Sequence, residues 1–315
     1  MIRRLHVSVV VLNFMHAEDT LRCVESIQKS DYPDLDIVVV DNGSASVVVR
    51  NLVSELDPTI RIILNETNLG YAGGNNVGIR HALERDSAFV WLVNPDVVVD
   101  QDALKILVRT AQRYPNAGIL GSRILYGGVQ PSKIWFDGGT IDWTAAGATK
   151  HLRMGALESE SPPIPAYDVD YVTGAGMLLS RRIIANIGLL PEEWFLYFEE
   201  TDYNLRAQRA GWRTMVNPRS RLQHYKRSTG ALPQPYYVYY FTRNRVRFGV
   251  IRAGASEDQV RTQLEAFVEA WRKKVESNAP EWLSIYDRLV KEAIWDGLSG
   301  VTGYRDLSEF SMVAA

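Results

Sequence analysis

One segment limits the fold more than any other: Phe89-Val90-Trp91-Leu92-Val93-Asn94-Pro95-Asp96-Val97-Val98-Val99-Asp100. The apolar run reads as a buried strand. Pro95 has no N–H to give to a sheet ladder, so the backbone leaves the sheet close to Asn94. Asp96 is therefore expected at the carboxyl edge of a buried strand, the edge at which open α/β sheets bind ligands. A carboxylate there can hold a divalent metal under a phosphate. It can equally close the strand as a turn residue.

Strand and helix signals alternate through the first hundred residues. Val7 to Leu12, Leu35 to Val40 and Ile60 to Leu64 read as β runs. Asp19 to Lys29, Val47 to Leu56 and Asn75 to Arg85 read as helices, with Gly70 to Gly74 as a loop before the last of them. A further helix is expected over Asp102 to Tyr114. This order predicts an α/β fold with a parallel sheet covered on both faces. Gly118 to Asp168 is looser, with short strands and a mobile loop around Glu158 to Pro165. Val169 to Ser180 returns as a strand broken at Gly174-Ala175-Gly176, and Trp194 to Ala210 looks helical. Charged helices follow the aromatic stretch Tyr236 to Phe241. The expected division is a catalytic domain over 1–230, with a nucleotide-binding half (1–117) and an acceptor half (118–230), then a C-terminal helical extension over 231–315.

The 315-residue chain is long enough for a sizeable core. Its formal charge of -2 offers no general field for nucleic acid or an anionic membrane. The lone Cys23 excludes an internal disulfide, fits a reducing compartment and lies in a helical pattern that suits a packed thiol. Met1 to Leu12 lacks a signal cleavage site, and no apolar run reaches the length of a membrane span. A cytoplasmic location follows as the expectation, with peripheral contact at the inner face of the cell membrane left open.

Polar residues of the right kinds punctuate this pattern. Asn13 and Asp41 each follow a β run, so in a parallel sheet they emerge on the same edge as Asp96. There an aspartate can accept from a base imide or a ribose hydroxyl, or serve as an Asx turn in Asp41-Asn42-Gly43-Ser44. The segment Asn68 to Asn76 is glycine-rich, and its amides can face a diphosphate. It is neither GxGxxG nor a P-loop. In Glu199-Glu200-Thr201-Asp202, a helix puts Glu199 and Asp202 one turn apart and Glu200 on another face. An apolar lead-in favours desolvation of a carboxylate and hence a better general base. The macrodipole equally favours acids in a first turn. His224, close to Arg221, Lys226 and Arg227, suits a metal or phosphate contact or a purely structural place.

Together these blocks resemble the inverting glycosyltransferases of family 2, with the GT-A fold, over about Val7 to Arg247. The likeness rests on Val9 to Asn13, Val39 to Ser44, Asn68 to Gly78, Leu92 to Asp96 and Gly174 to Trp212. The Asn-Pro-Asp form and Tyr197-Phe198-Glu199-Glu200-Thr201-Asp202 most resemble the rhamnosyltransferase-like branch, with galactofuranosyltransferases sharing parts of the pattern. The resemblance implies a dTDP- or UDP-sugar donor, a saccharide or lipid-linked acceptor of bacterial surface polysaccharide, and Mg²⁺ or Mn²⁺. It implies that Asn13 and Asp41 contact base and ribose, and that Gly70, Tyr71, Gly73 and Asn75 line the nucleotide. Asn94 stands in the metal motif beside Asp96, with His224 at the metal or diphosphate and Arg227 aiding the leaving group. Glu200 stands where the family's base is usually aspartate, with Glu199 and Asp202 as alternatives. A non-catalytic nucleotide-binding scaffold is the reading from another class. Tyr236 to Val250, with Arg243, Arg245 and Arg247, suits lipid headgroups, a homodimer or internal packing.

Overall fold

A computed structural model describes residues 5–225 and 232–310. Its strands are β1 (Val7–Asn13), β2 (Leu35–Asn42), β3 (Arg61–Asn65), β4 (Phe89–Val93), β5 (Val97–Val99), β6 (Ala117–Tyr126), β7 (Ile134–Phe136), β8 (Gly139–Asp142), β9 (Ala148–His151), β10 (Tyr167–Asp168), β11 (Gly176–Ser180) and β12 (Arg213–His224). Its helices are α1 (Ala17–Gln28), α2 (Ser46–Glu55), α3 (Gly70–Glu84), α4 (Ala103–Arg113), α5 (Arg181–Ile187), α6 (Glu199–Arg209), α7 (Pro235–Ala253), α8 (Glu257–Asn278) and α9 (Leu283–Leu298). By contacts the chain divides into two compact units. The first takes Met1–Thr140, His151–Pro191 and Glu200–Lys226; the second takes Ile141–Lys150, Glu192–Glu199 and Arg227–Ala315.

The first unit holds a mixed sheet. Among the described residues its order is β10-β12-β6-β11-β4-β1-β2-β3, with β5 on β12 and β7 on β6. β3, β2, β1 and β4 run parallel, with Asn13 opposite Asp41. β11 lies antiparallel to both β4 and β6. β1 and β4 are buried along their whole length, which is why they read as unbroken apolar runs. Cys23 is buried in α1, a packed thiol as expected.

Four local expectations give way to tertiary packing. Gly70 to Gly74 is not a loop but the opening of α3. A Cβ on Gly74 would lie 2.5 Å from Leu12 Cδ1, and one on Gly78 2.3 Å from Val10 Cγ1. These glycines let the helix lie close on β1, and that contact outweighs their poor helix propensity. The supposedly loose region after Gly118 begins with the ten-residue β6, inside the sheet. Gly121 sits there because Val172 occupies the place of its Cβ, 2.6 Å away. Of Val169 to Ser180 only Gly176–Ser180 is strand. Finally, helix starts at Glu199 rather than Trp194, since Phe195, Tyr197 and Phe198 have φ of 61°, 68° and 73°.

The second unit is built on α7, α8 and α9. A Cβ on Gly297 of α9 would meet the Arg243 carbonyl of α7 at 2.6 Å, so the absence of a side chain permits the close crossing. Ser256 caps α8 through a full capping box with Gln259. Tyr239, Tyr240, Arg243 and Arg245 are buried within this unit. Those four side chains therefore serve internal packing, whereas Tyr236 in the same stretch is exposed. Among the described residues no helix is long and apolar enough to cross a membrane.

Candidate active site

The parallel order puts the ends of β1, β2 and β4 on one edge of the sheet. At the first two, Asn13 Nδ2 donates to Asp41 Oδ2 at 2.6 Å, and Ser44 N donates to Asp41 Oδ1 at 2.9 Å. Asn13 Oδ1 accepts from Thr20 Oγ1 at 2.8 Å. Both the turn role and the edge placement of Asp41 are thus realised. A carboxylate oxygen keeps further lone pairs for a ligand. Asn42, which the sequence reading passed over, ties this edge to α3: its Nδ2 donates to Asn68 Oδ1 at 2.9 Å and to the Gly70 carbonyl at 3.0 Å. Asn75 turns its amide back onto the Tyr71 carbonyl at 2.9 Å, and Gly73 is buried in the helix.

Pro95 breaks the chain out of β4 as expected, and Asp96 lies in the turn before β5. Pairing of β5 with β12 sets His224 opposite Val97. His224 Nε2 accordingly donates to Asp96 Oδ2 at 2.9 Å across 128 residues of sequence. The Trp135 ring lies 4.4 Å from the His224 ring, edge on. Asp96 Oδ1 and His224 Nδ1 are sealed from solvent without a hydrogen-bond partner. An orphaned carboxylate oxygen and an imidazole nitrogen suit a divalent cation that takes its remaining ligands from phosphate and water. Among the described residues no group of three His, Cys, Asp or Glu converges, so protein ligands alone do not complete a site. Arg227 lies outside the described residues.

The second carboxylate belongs to the same edge. Asn94 N donates to the Ala175 carbonyl at 3.3 Å, which sets the Gly174–Gly176 bend beside the end of β4. Tyr71 Oη donates to the Gly174 carbonyl at 2.7 Å. The Gly174 N–H, together with those of Glu200 and Thr201, donates to the Glu200 carboxylate. A Cβ on Gly174 would stand 2.2 Å from Tyr71 Oη, so glycine is needed for this approach. Burial pushes the Glu200 carboxyl above the ordinary glutamate range, against the lowering effect of those N–H bonds. Its Oε2 is sealed and unpartnered. Asn204 also escaped the sequence reading. It donates to the Val172 carbonyl at 3.1 Å and to the Glu200 carbonyl at 2.7 Å, pinning α6 beside the bend. Glu199 and Asp202 are more deeply buried than Glu200, on the opposite side of the helix turn.

A parallel strand order with polar strand ends, continued by the antiparallel β11 and by α6 with its carboxylate Glu200, is that of the GT-A architecture. The glycosyl transferase family 2 model matches residues 8–185, and the chain belongs to that family. It thereby carries a glycosyltransferase domain. It is 30% identical to the low-salt glycan biosynthesis hexosyltransferase Agl10 of Haloferax volcanii over 64% of its own length, but spans only 61% of that relative. It is 26% identical to the N-acetylglucosaminyl-diphospho-decaprenol L-rhamnosyltransferase of Mycobacterium tuberculosis over 71% of this chain and 78% of that one. Among solved structures, GalNAc-T7 with UDP, GalNAc and Mn²⁺ has a TM-score of 0.61 at 16% identity, covering 89% of this chain and 59% of that one. At that identity the likeness concerns the fold.

Proposed function

We propose that the chain is an inverting transferase that moves rhamnose from dTDP- or UDP-rhamnose to a saccharide or lipid-linked acceptor, in the synthesis of a bacterial surface polysaccharide. The observation that carries this reading is Glu200: a carboxyl raised by burial, oriented by the Gly174 N–H, on the sheet edge that also bears Asp96. A carboxyl of this kind suits a general base whose pKa lies nearer working pH than an exposed glutamate's. The mycobacterial relative's printed name supplies the sugar and suggests an N-acetylglucosaminyl-diphospho-lipid as acceptor.

In this reading Asn13 and Asp41 hold the base and ribose, and the first turns of α3 line the nucleotide. Asp96 and His224 would hold Mg²⁺ or Mn²⁺, which supplies positive charge against the charge gained by the departing nucleoside diphosphate. Glu200 takes the proton of the acceptor hydroxyl while that oxygen attacks the anomeric carbon from the face opposite the diphosphate. The C–O bond to the diphosphate breaks as the new one forms, and the anomeric centre inverts.

The test is release of nucleoside diphosphate from a panel of dTDP-L-rhamnose, UDP-rhamnose and UDP-galactofuranose with Mn²⁺, with and without an N-acetylglucosaminyl-diphospho-lipid. Metal-dependent release from a rhamnose donor, faster with acceptor, is expected. Preference for the galactofuranose donor would replace the sugar, and no release from any donor would favour a non-catalytic scaffold.

A further inference from the structure

The turn Trp194-Phe195-Leu196-Tyr197-Phe198 runs into the carboxylates of α6 without a spacer. Three of its residues are non-glycine and left-handed, a conformation that such side chains hold only when the surroundings impose it. The imposing group is Asn244 of α7, fully buried. Its Nδ2 donates to the carbonyls of Trp194, Leu196 and Tyr197 at 2.8, 2.8 and 2.9 Å. Two amide hydrogens serve three acceptors, so at least one bond is shared. The Asn244 Oδ1 accepts from Arg243 Nε at 2.9 Å, and Arg243 Nη2 donates to the Trp194 carbonyl at 3.0 Å. This fixes which end of the amide faces the turn. Rings along the same helix face close the clasp: Phe195 lies 4.9 Å from Tyr240, Tyr197 5.4 Å from Tyr237, and Phe198 5.3 Å from Phe248.

We propose that Asn244 is a positioning residue for the reaction: by holding this turn left-handed it fixes, through the chain itself, where α6 begins and so where Glu200 points. An ordinary helical continuation back to Trp194, which the sequence alone favours, would move the start of the helix by more than a turn. The inference rests on the reading of Glu200 as the base.

A double-mutant cycle of Asn244→Ala and Glu200→Gln tests it, measured as nucleoside diphosphate release from dTDP-L-rhamnose with Mn²⁺ and the N-acetylglucosaminyl-diphospho-lipid. Asn244→Ala is expected to lower kcat on the order of 10²-fold, as misplacement of a catalytic group by about an ångström does. The donor KM should stay within about threefold, since the nucleotide edge keeps its own hydrogen bonds. In the Glu200→Gln background the same substitution should cost nothing further. If Glu200→Gln is inactive while Asn244→Ala is silent, the positioning role falls and the base stands. If the two losses multiply, Asn244 acts elsewhere and the inference falls. If Glu200→Gln keeps the wild-type rate, the base reading fails and takes the inference with it. Should Asn244→Ala not fold, Asn244→Asp replaces it, keeping the shape and the acceptor for Arg243 Nε while removing the donors to the turn. It should lower kcat at least about tenfold with KM unmoved, and an unchanged kcat overturns the proposal.

Discussion

Asp96 and Glu200 are both carboxylates presented at one sheet edge, yet they are held in opposite ways. Asp96 is gripped by a side chain, His224, which strand pairing delivers from 128 residues away. Glu200 is gripped by main-chain N–H groups and by burial. A side-chain N–H on one oxygen leaves Asp96 Oδ1 and His224 Nδ1 free to face a cation. Desolvation without a cationic partner suits a carboxylate that exchanges a proton. On the proposed roles, the contrast means that role follows from the holder rather than from residue type, as it does where one fold sets two carboxylates to different tasks.

On the proposed mechanism, the largest effect should come from removing the proton acceptor. Glu200→Gln keeps the shape and loses the base, so kcat should fall by about 10³-fold, within the range that general-base catalysis supplies, while donor KM changes little. The wild-type pH profile sharpens the same point. A raised carboxyl must be deprotonated to act, so activity should be lost as pH falls through a limb above the ordinary glutamate value of about 4.3. A limb at the ordinary value would remove the distinction between the two carboxylates. The check is kcat against pH at saturating donor and metal.

Asp96→Ala should cost somewhat less, about 10²-fold, because phosphate and water supply part of the metal's coordination and the electrostatic loss is partial. Its signature differs from that of Glu200→Gln. The concentration of Mn²⁺ needed for half-maximal rate should rise, whereas Glu200→Gln should leave it unmoved. Metal titrations of both variants check this, and an unchanged Mn²⁺ requirement in Asp96→Ala would break the comparison from the other side.

Which parts were legible in the sequence follows the same line between local and distant holders. β1 to β4 could be read directly because each is an apolar run closed by a polar turn, and the edge positions of Asn13, Asp41 and Asp96 came with them. Helical geometry set Glu200 on a different face from Glu199 and Asp202, but its choice as the base came only from the family resemblance. The helical state of Gly70 to Gly74 was hidden because its reason is the surface of β1, at Leu12 and Val10. The left-handed turn before α6 was hidden because its holder, Asn244, lies 50 residues from Trp194. Asn42 and Asn204 were missed for a similar reason: an asparagine that satisfies remote carbonyls looks, in sequence, like any other asparagine. His224 could be suspected from nearby cations, but its partner was set by the pairing of β12 with β5.

The smallest expected effect separates the two holders most cleanly. Gly174→Ala places a methyl 2.2 Å from Tyr71 Oη. The Tyr71 side chain can swing away, at the cost of its 2.7 Å bond to the Gly174 carbonyl, and the bend shifts with it. The N–H that Gly174 gives to Glu200 is then weakened, and that bond is one of the terms holding the carboxyl down. Burial is left less opposed, so the pKa of Glu200 should move further up. The acid limb of the pH profile should shift to higher pH, with kcat at its plateau reduced about tenfold or less by imperfect alignment. The bend reaches the metal motif only through the 3.3 Å bond from Asn94 N to the Ala175 carbonyl and not through the side chains of Asp96 or His224, so the Mn²⁺ requirement should stay that of the wild type. A variant whose acid limb stays fixed while its metal requirement changes would show that the two carboxylates form one coupled site, and the division of labour between them would have to be abandoned.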